Sequence, residues 1–166
     1  MLPWICCLVL IAGAATEARA QTIPSTTIDE ADGLLDRSIT GIGETAGNLM
    51  VIATQNGAYV FNGKRALPLG SRVGLPDRAE FIGLTIAAGQ IALYTADTVY
   101  TARDTIDFAD NARFDTHPMA VADGSVNDLV PVPEGLLVVQ SYRVSVYDTD
   151  LKKTVPLPGR LSAELR

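Results

Sequence analysis

Residues 47–63 read G-N-L-M-V-I-A-T-Q-N-G-A-Y-V-F-N-G, and the fold can be inferred outward from this stretch. An apolar run at 49–54 lies between two turn-forming segments, and a second apolar run follows at 58–61. Short runs rich in β-branched and aromatic residues are typical of buried strands. Asn-Gly pairs suit tight hairpins, because both residues accept positive φ at little cost. The stretch therefore predicts a buried β-hairpin, with hairpin turns at 56–57 and 62–63.

Weaker copies of this hairpin recur downstream. The turn glycines of the three copies lie 42 and 46 residues apart, and a further apolar strand precedes each copy. A period of about 40–45 residues with about four short strands per unit is the spacing of β-propeller blades. Helical repeats of similar length are disfavoured, because Gly or Pro interrupts each unit and Val, Ile, Thr and Tyr fill it. The residues that mark the repeat are Gly47, Asn48, Gly57, Gly89 and Gly135.

The repeat predicts an all-β, propeller-like array of about three four-stranded antiparallel blades, which would form an incomplete ring. A polar leader at 21–31 precedes blades at about 32–70, 75–115 and 120–157, and residues 157–166 resemble the start of another blade. Repeat arrays need capping ends that hide unpaired strands, and the end of this sequence does not resemble a cap. We therefore expect the chain to be the amino-terminal piece of a longer product.

Each blade needs a fourth, outer strand. Residues 65–69 and 154–157 supply one for the first and third blades, and both end in Pro-containing segments suited to a sheet edge. In the second repeat residues 104–115 are acidic and irregular, and no fourth strand is evident there. Gly41 and Gly43 are not a dinucleotide-binding fingerprint, since the next glycine falls one place late and no helix follows. They are interpreted as strand glycines that permit close packing.

The first twenty residues are predicted to be a signal peptide. An apolar run at 2–15 is followed by a small-x-small cleavage site at 18–20, and the run is short for a membrane span. Cleavage would leave 146 residues, remove both cysteines and keep the net charge at −6. An exported chain without disulfides indicates a bacterial periplasm or surface. Its fold must then be stabilised by a hydrophobic core rather than by disulfides. No stable membrane span is expected after cleavage; an uncleaved anchor is the alternative.

Few residues suggest chemistry. The acidic balance argues against a nucleic-acid binder. His117, the single histidine, lies in a stretch interpreted as a loop, and no nucleophile motif accompanies it. The acidic cluster within 104–115 lacks the spacing of a calcium loop, so an exposed loop is the favoured interpretation. We therefore predict no catalytic residue, metal or cofactor. Tyr142 and Arg143, at a turn, are candidate contacts for a partner. The carboxylates of the acidic cluster are Asp104, Asp107, Asp110 and Asp115.

Residues 33–42, 47–54 and 57–61 resemble the two-component regulator propeller repeat. That family has a Gly-Leu-Pro opening, an aliphatic strand, a Gly-Asn-Leu-Trp turn and strand, and then Thr-x-x-Gly-Leu. The likeness is good over the first blade, with Met50 where the family usually has Trp, and weak over the other two blades. The resemblance implies a sensor propeller of the kind found in the periplasmic part of bacterial histidine kinases and diguanylate cyclases.

The predicted function is therefore a non-catalytic periplasmic module that senses a ligand or binds a protein, as the amino-terminal part of a sensor. The unknown small ligand or protein partner is expected at a face formed by loops, which a rigid scaffold presents. One alternative is an exported scaffold that self-associates through its open blade edges. Another alternative is the front end of a propeller-type glycosidase or lyase.

Overall fold

The computed structural model describes residues 27–105, 108–133, 135–148 and 153–156. Twelve strands in this part form three four-stranded antiparallel sheets, and each sheet uses strands that are consecutive in sequence. The prediction of an all-β array of about three four-stranded blades is confirmed. The predicted signal peptide and the predicted start of another blade at 157–166 lie outside the described residues.

Within each sheet the strands lie side by side in chain order, so every strand pairs with the next along the chain. Sheet 1 contains β1 (Ile39–Glu44), β2 (Met50–Thr54), β3 (Gly57–Phe61) and β4 (Ala66–Leu69). Sheet 2 contains β5 (Gly83–Ala87), β6 (Gln90–Tyr94), β7 (Thr98–Arg103) and β8 (Asp115–Pro118). Sheet 3 contains β9 (Val126–Val132), β10 (Gly135–Gln140), β11 (Val144–Asp148) and β12 (Lys153–Pro156). A one-turn helix, α1 (Phe108–Asn111), precedes β8, and the 3-10 turns are Glu30–Asp32, Ser71–Val73 and Val121–Asp123.

The hairpin at the centre of sheet 1 is β2 and β3, as predicted, and most of its residues are buried. Its turn differs from the prediction in one respect. Thr54 pairs directly with Gly57, so Gln55 and Asn56 form the loop. The positive φ, 141°, belongs to Gly57 as the first residue of β3, and Asn56 does not share it. The turn therefore needs one glycine rather than an Asn-Gly pair with positive φ at both positions.

The second sheet has the fourth strand that the sequence did not reveal. Phe108, the first residue of α1, and Phe114, which follows the helix, are both buried, and their rings meet edge to face with centroids 6.1 Å apart. These two aromatic side chains anchor an otherwise acidic segment to the core, and β8 then pairs with β7. The interpretation of residues 104–115 as wholly irregular is therefore wrong. A four-residue strand that reads D-T-H-P has no apolar alternation by which it could have been found.

Adjacent sheets pack face to face. We name the face of a sheet that looks toward the preceding sheet its upstream face, and the opposite one its downstream face. Phe81 is fully buried between sheets 1 and 2, edge to face with Tyr100 at 5.9 Å between centroids. The main strand residues of this core are Val51, Ala53, Ala58, Val60, Leu69, Ile91, Leu93 and Ala102. A second core joins sheets 2 and 3 through Ala92, Tyr94, Val99, Val126, Leu129, Leu136, Val138 and Tyr147.

The first strands of the three sheets lie next to one another at the inner edge of the array. A Cβ atom added at Gly41 would lie 2.8 Å from the Cβ of Leu84, and one at Gly43 would lie 2.7 Å from the Cδ1 of Ile86. A side chain at Gly41 would push β1 away from β5, and one at Gly43 would displace the side chain of Ile86, so the interpretation of both glycines as close-packing residues is confirmed. The hydroxyl of Thr85 on β5 donates to the carbonyl of Leu129 on β9 at 3.0 Å.

Candidate functional site

One end of the array gathers exposed apolar side chains. We call it the entry end, because the first strand of each sheet begins there. The loop between the second and third strands of each sheet lies at the same end, at residues 55–56, 95–97 and 141–143. In the described part, the exposed large apolar residues outside strands all lie toward this end. The exposed fractions are 72% for Leu35, 38% for Ile82, 88% for Val121 and 84% for Tyr142. This asymmetry makes the entry end the candidate binding surface.

Tyr142 is the only aromatic residue among these four, and hydrogen bonds hold its backbone in place. The amide of Ser141 donates to the carbonyl of Ser125 at 3.0 Å, and the amide of Tyr142 donates to the carbonyl of Asp123 at 3.1 Å. Both acceptors belong to the segment that leads into β9, so the loop is held against the start of the first strand of its own sheet. An aromatic ring on an ordered backbone loses little conformational entropy when it meets a partner.

Two side-chain contacts complete this anchor. Gln140, which is buried, donates through Nε2 to the carbonyl of Gly124 at 2.9 Å. The guanidinium of Arg143 lies 3.0 Å from the Asp123 carboxylate, and both side chains are partly exposed. An ion pair at the surface contributes little to stability, so its main effect is to orient Arg143 beside the aromatic ring. Tyr142 and Arg143, proposed from the sequence as partner contacts, thus lie together on one anchored loop.

Carboxylates that the fold keeps ionised surround the apolar residues of the entry end. Hydroxyl groups of Thr95 and Thr98 both donate to Asp97 at 2.9 Å and lower the pKa of that carboxyl group. A backbone amide hydrogen bond from Ser38 is the main cause that lowers the pKa of Asp36. The amide of Ser71 acts in the same way on Asp77. The surface therefore combines an exposed aromatic ring with fixed negative charges.

His117 does not lie in a loop, so that part of the sequence interpretation is wrong. It lies on β8, where its Nε2 is 2.9 Å from the hydroxyl of Thr101 and 2.9 Å from the hydroxyl of Tyr147. The imidazole and the Tyr147 ring also stack, with centroids 4.4 Å apart and a tilt of 45°. Burial is the main cause that raises the pKa of Tyr147, and Asp115 and Asp148 raise it further. The histidine therefore couples sheet 2 to sheet 3, a contact between residues 30 apart that no local pattern reveals.

Two carboxylates of the acidic cluster, Asp104 and Asp115, have separate places in the fold. Both oxygens of Asp104 accept from the amide of Ala46, at 2.9 and 3.0 Å, so this residue ties the β1–β2 turn to sheet 2. Asp115 begins β8, Asp110 lies in α1, and Asp107 lies outside the described residues. Among the residues that the structure describes, no group of three or more His, Cys, Asp and Glu is arranged to hold a metal ion.

A cleft of about 330 Å³ lies on the upstream side of sheet 1. Its polar groups are already engaged: Asp29 caps the first 3-10 turn through the amide of Ala31 at 2.8 Å, and Arg37 lies 3.7 Å from Glu30. The lining residues are Thr27, Ile28, Asp29, Leu34, Arg37 and Ile39. The cleft therefore has no charged group left to form a site for a ligand among the residues that line it.

The repeat markers occupy turns of unlike geometry. In the β1–β2 turn Asn48, with φ 56°, takes the left-handed conformation that Gly47 does not. Between β5 and β6, Ala88 and Gly89 both have positive φ, at 51° and 73°. Gly135, with φ 142°, is the first residue of β10. The spacing of the markers therefore reflects equivalent positions in the three repeats, although the turns differ in which residues have positive φ.

Searches against protein-family models and against curated proteins found no match. A solved structure matches with a TM-score of 0.59 and 15% sequence identity over 81% of this chain. It is the extracellular domain of a protein assigned as a hybrid two component system, BT3049, from B. thetaiotaomicron. The chain spans 20% of that structure's length. At this identity the likeness shows the fold, an array of sheets like that of a propeller-type domain. None of the described helices is long and apolar enough to cross a membrane.

Proposed function

We propose that this chain is a non-catalytic binding module in the extracytoplasmic part of a bacterial signalling protein. The observation that carries the proposal is the fold, which resembles the extracellular domain of a protein assigned as a two component system. The sequence of residues 1–20 supports export, because it has the apolar run and cleavage pattern of a signal peptide.

The entry end is the surface that we assign to binding. A rigid β-scaffold presents the β10–β11 loop there, and that loop carries the most exposed aromatic side chain of the described part. Tyr and Arg are enriched among residues that dominate binding energy, and Tyr142 and Arg143 are adjacent. Asp97 and Asp36 add negative charge near the apolar residues, which favours partners that offer hydroxyl or cationic groups next to an apolar surface.

The test is a thermal-shift screen of the purified chain against neutral oligosaccharides and short basic peptides, followed by calorimetric titration of each compound that raises the melting temperature. Replacing Tyr142 with Ala should weaken binding by at least about tenfold, the loss expected for a central aromatic contact. The matched control is Lys64→Ala, in the turn between β3 and β4 at the opposite end, which should leave the affinity unchanged.

Two results would contradict the proposal. A compound that binds equally well to the Tyr142→Ala variant would move the site away from the entry end. A compound that is chemically converted during incubation, as detected by mass spectrometry, would show that the module is an enzyme.

A further inference from the structure

Asn62 and Gly63 lie in the exposed turn that joins β3 to β4, at the end of the array opposite the entry end. The amide of Asn62 donates to the carbonyl of Arg65 at 3.3 Å and closes the turn. Gly63 has φ 85°, and no described atom beyond its chain neighbours lies within 4 Å of the position that a Cβ would take. Water therefore has open access to this peptide unit.

Two backbone amides hold the side chain of Asn62. The amides of Lys64 and Arg65 donate to its Oδ1 atom at 3.0 and 2.9 Å. Backbone amides can only donate, so the side-chain atom that faces them must be the carbonyl oxygen. This is an Asx turn, in which the side chain bends forward along the chain. The Cγ carbon is thereby held over the peptide unit that links residues 62 and 63.

An asparagine side chain reacts with the residue that follows it only if the backbone nitrogen of that residue is available. The described part contains four Asn-Gly or Asp-Gly pairs. The amides of Gly33 and Gly124 each close a 3-10 turn through a hydrogen bond of 3.1 Å, and Gly57 pairs with Thr54 in the β2–β3 ladder. Among the described residues, the amide of Gly63 has no hydrogen-bond acceptor. It is therefore the available nucleophile of the four.

We propose that Asn62 is a site of spontaneous deamidation that the fold itself promotes. The backbone nitrogen of Gly63 loses its proton to solvent base and attacks Cγ of Asn62, so that a new bond joins this nitrogen to Cγ. The bond from Cγ to Nδ2 then breaks, and ammonia leaves with a proton from water. A cyclic imide remains, and addition of water to one of its two carbonyl groups gives aspartate or isoaspartate.

The two amides that hold Oδ1 also stabilise the charge that develops on it. Attack on Cγ converts the side-chain carbonyl oxygen into an oxyanion. Preorganised N–H donors about 2.7–3.1 Å from such an oxygen lower the barrier of acyl transfer, and the amides of Lys64 and Arg65 already have these distances. The other Asn-Gly pair lacks this arrangement, because no described amide donates to the side chain of Asn56.

Deamidation adds one negative charge to the β3–β4 turn. The aspartate product keeps an oxygen that can accept from both amides, so the turn should persist. Isoaspartate places an extra carbon in the main chain and should break the hydrogen bond between residues 62 and 65. The site lies at the end opposite the proposed binding surface and does not depend on the binding function.

The experiment compares the two Asn-Gly pairs of one chain in the native and the denatured state. The purified chain is incubated at mildly alkaline pH, with and without guanidinium chloride, and peptide mapping by mass spectrometry follows the loss of Asn62 and Asn56. In the denatured chain the two residues should react at similar rates, because each then precedes a flexible glycine. In the native chain Asn62 should react at least about tenfold faster than Asn56, and no more slowly than in the denatured chain.

A matched pair of variants tests the role of the amide donors. Lys64→Pro removes one of the two N–H groups and should slow the reaction at Asn62 in the native chain by at least about tenfold. Lys64→Ala keeps this N–H group and should react at the rate of the unaltered chain. Circular dichroism checks that both variants keep their β-structure.

A native chain in which Asn62 reacts no faster than Asn56, or more slowly than in the denatured chain, would overturn the proposal. Equal rates for Lys64→Pro and Lys64→Ala would also overturn it, because the amide donor would then contribute nothing. If Lys64→Pro does not fold, the comparison of the native with the denatured unaltered chain still decides. None of these measurements involves a ligand, so failure of the binding proposal would leave them unchanged.

Discussion

Replacing Gly41 with Ala tests the close approach of sheets 1 and 2. The new Cβ would lie 2.8 Å from the Cβ of Leu84 and 2.9 Å from its backbone nitrogen, whereas carbon atoms pack best at about 3.5–4.0 Å. Neither atom can move without shifting β5. Gly41 has no positive φ, so the backbone conformation itself accepts Ala and the steric clash is the only penalty.

Gly43→Ala is the matched variant on the same strand and the same face. Its Cβ would meet only the side chains of Ile86 and Leu84, at 2.7 Å from the Cδ1 of Ile86, which can rotate away. Overpacking against a rigid group costs about 1–3 kcal/mol, and removing a strand glycine returns about 0.5–1 kcal/mol. We therefore expect Gly41→Ala to lower the free energy of unfolding by about 1–2 kcal/mol and Gly43→Ala to change it by less than about 0.5 kcal/mol.

Urea and thermal unfolding followed by circular dichroism measure the difference, which should be about 2–8 °C in melting temperature between the two variants. Adding Leu84→Ala should not rescue Gly41→Ala, because the clashing Cβ remains. Adding Ile86→Val to Gly43→Ala removes the Cδ1 atom that lies 2.7 Å from the new Cβ and should reduce the steric penalty, since the nearest remaining atom of residue 86, Cγ1, lies at 3.0 Å. Equal effects of Gly41→Ala and Gly43→Ala would refute the contact between β1 and β5.

Two further predictions concern single hydrogen bonds. Asp36→Asn should lower the urea midpoint more at pH 7 than at pH 3, because the amide of Ser38 lowers the pKa of Asp36 below 3.8 and the resulting stability declines as the pH falls below 3.8 and through that lowered pKa. Equal loss at both pH values would contradict the role of the ionised carboxylate. Tyr147→Phe should lower the free energy of unfolding by about 1 kcal/mol, because it removes the hydroxyl bonded to His117, whereas Tyr142→Phe should have no measurable effect. An unchanged urea midpoint for Tyr147→Phe would show that the hydroxyl does not couple the sheets.

The candidate binding surface was only partly predictable from the sequence. The turn at Tyr142 and Arg143 could be located, because a polar break between two Val-rich runs is a local signal. The hydrogen bonds that anchor this turn could not be predicted. Their acceptors, the carbonyls of Asp123 and Ser125, come close to the turn only when the chain returns to the start of its sheet. The role of His117 was misjudged for the same reason: Thr101 and Tyr147 are 16 and 30 residues away.

Apolar alternation and turn chemistry act within a few residues, so the sequence was enough to predict the strands of sheets 1 and 3, β6 and β7 of sheet 2, and the four-strand repeat. The identity of Gly41 indicated close packing without showing its partner. Packing between the sheets, which no local pattern reveals, decided that Leu84 fills that space and that β8 forms from an acidic segment. Each of these features depends on which faces of two sheets pack together, and that pairing is set by contacts between residues far apart in the chain.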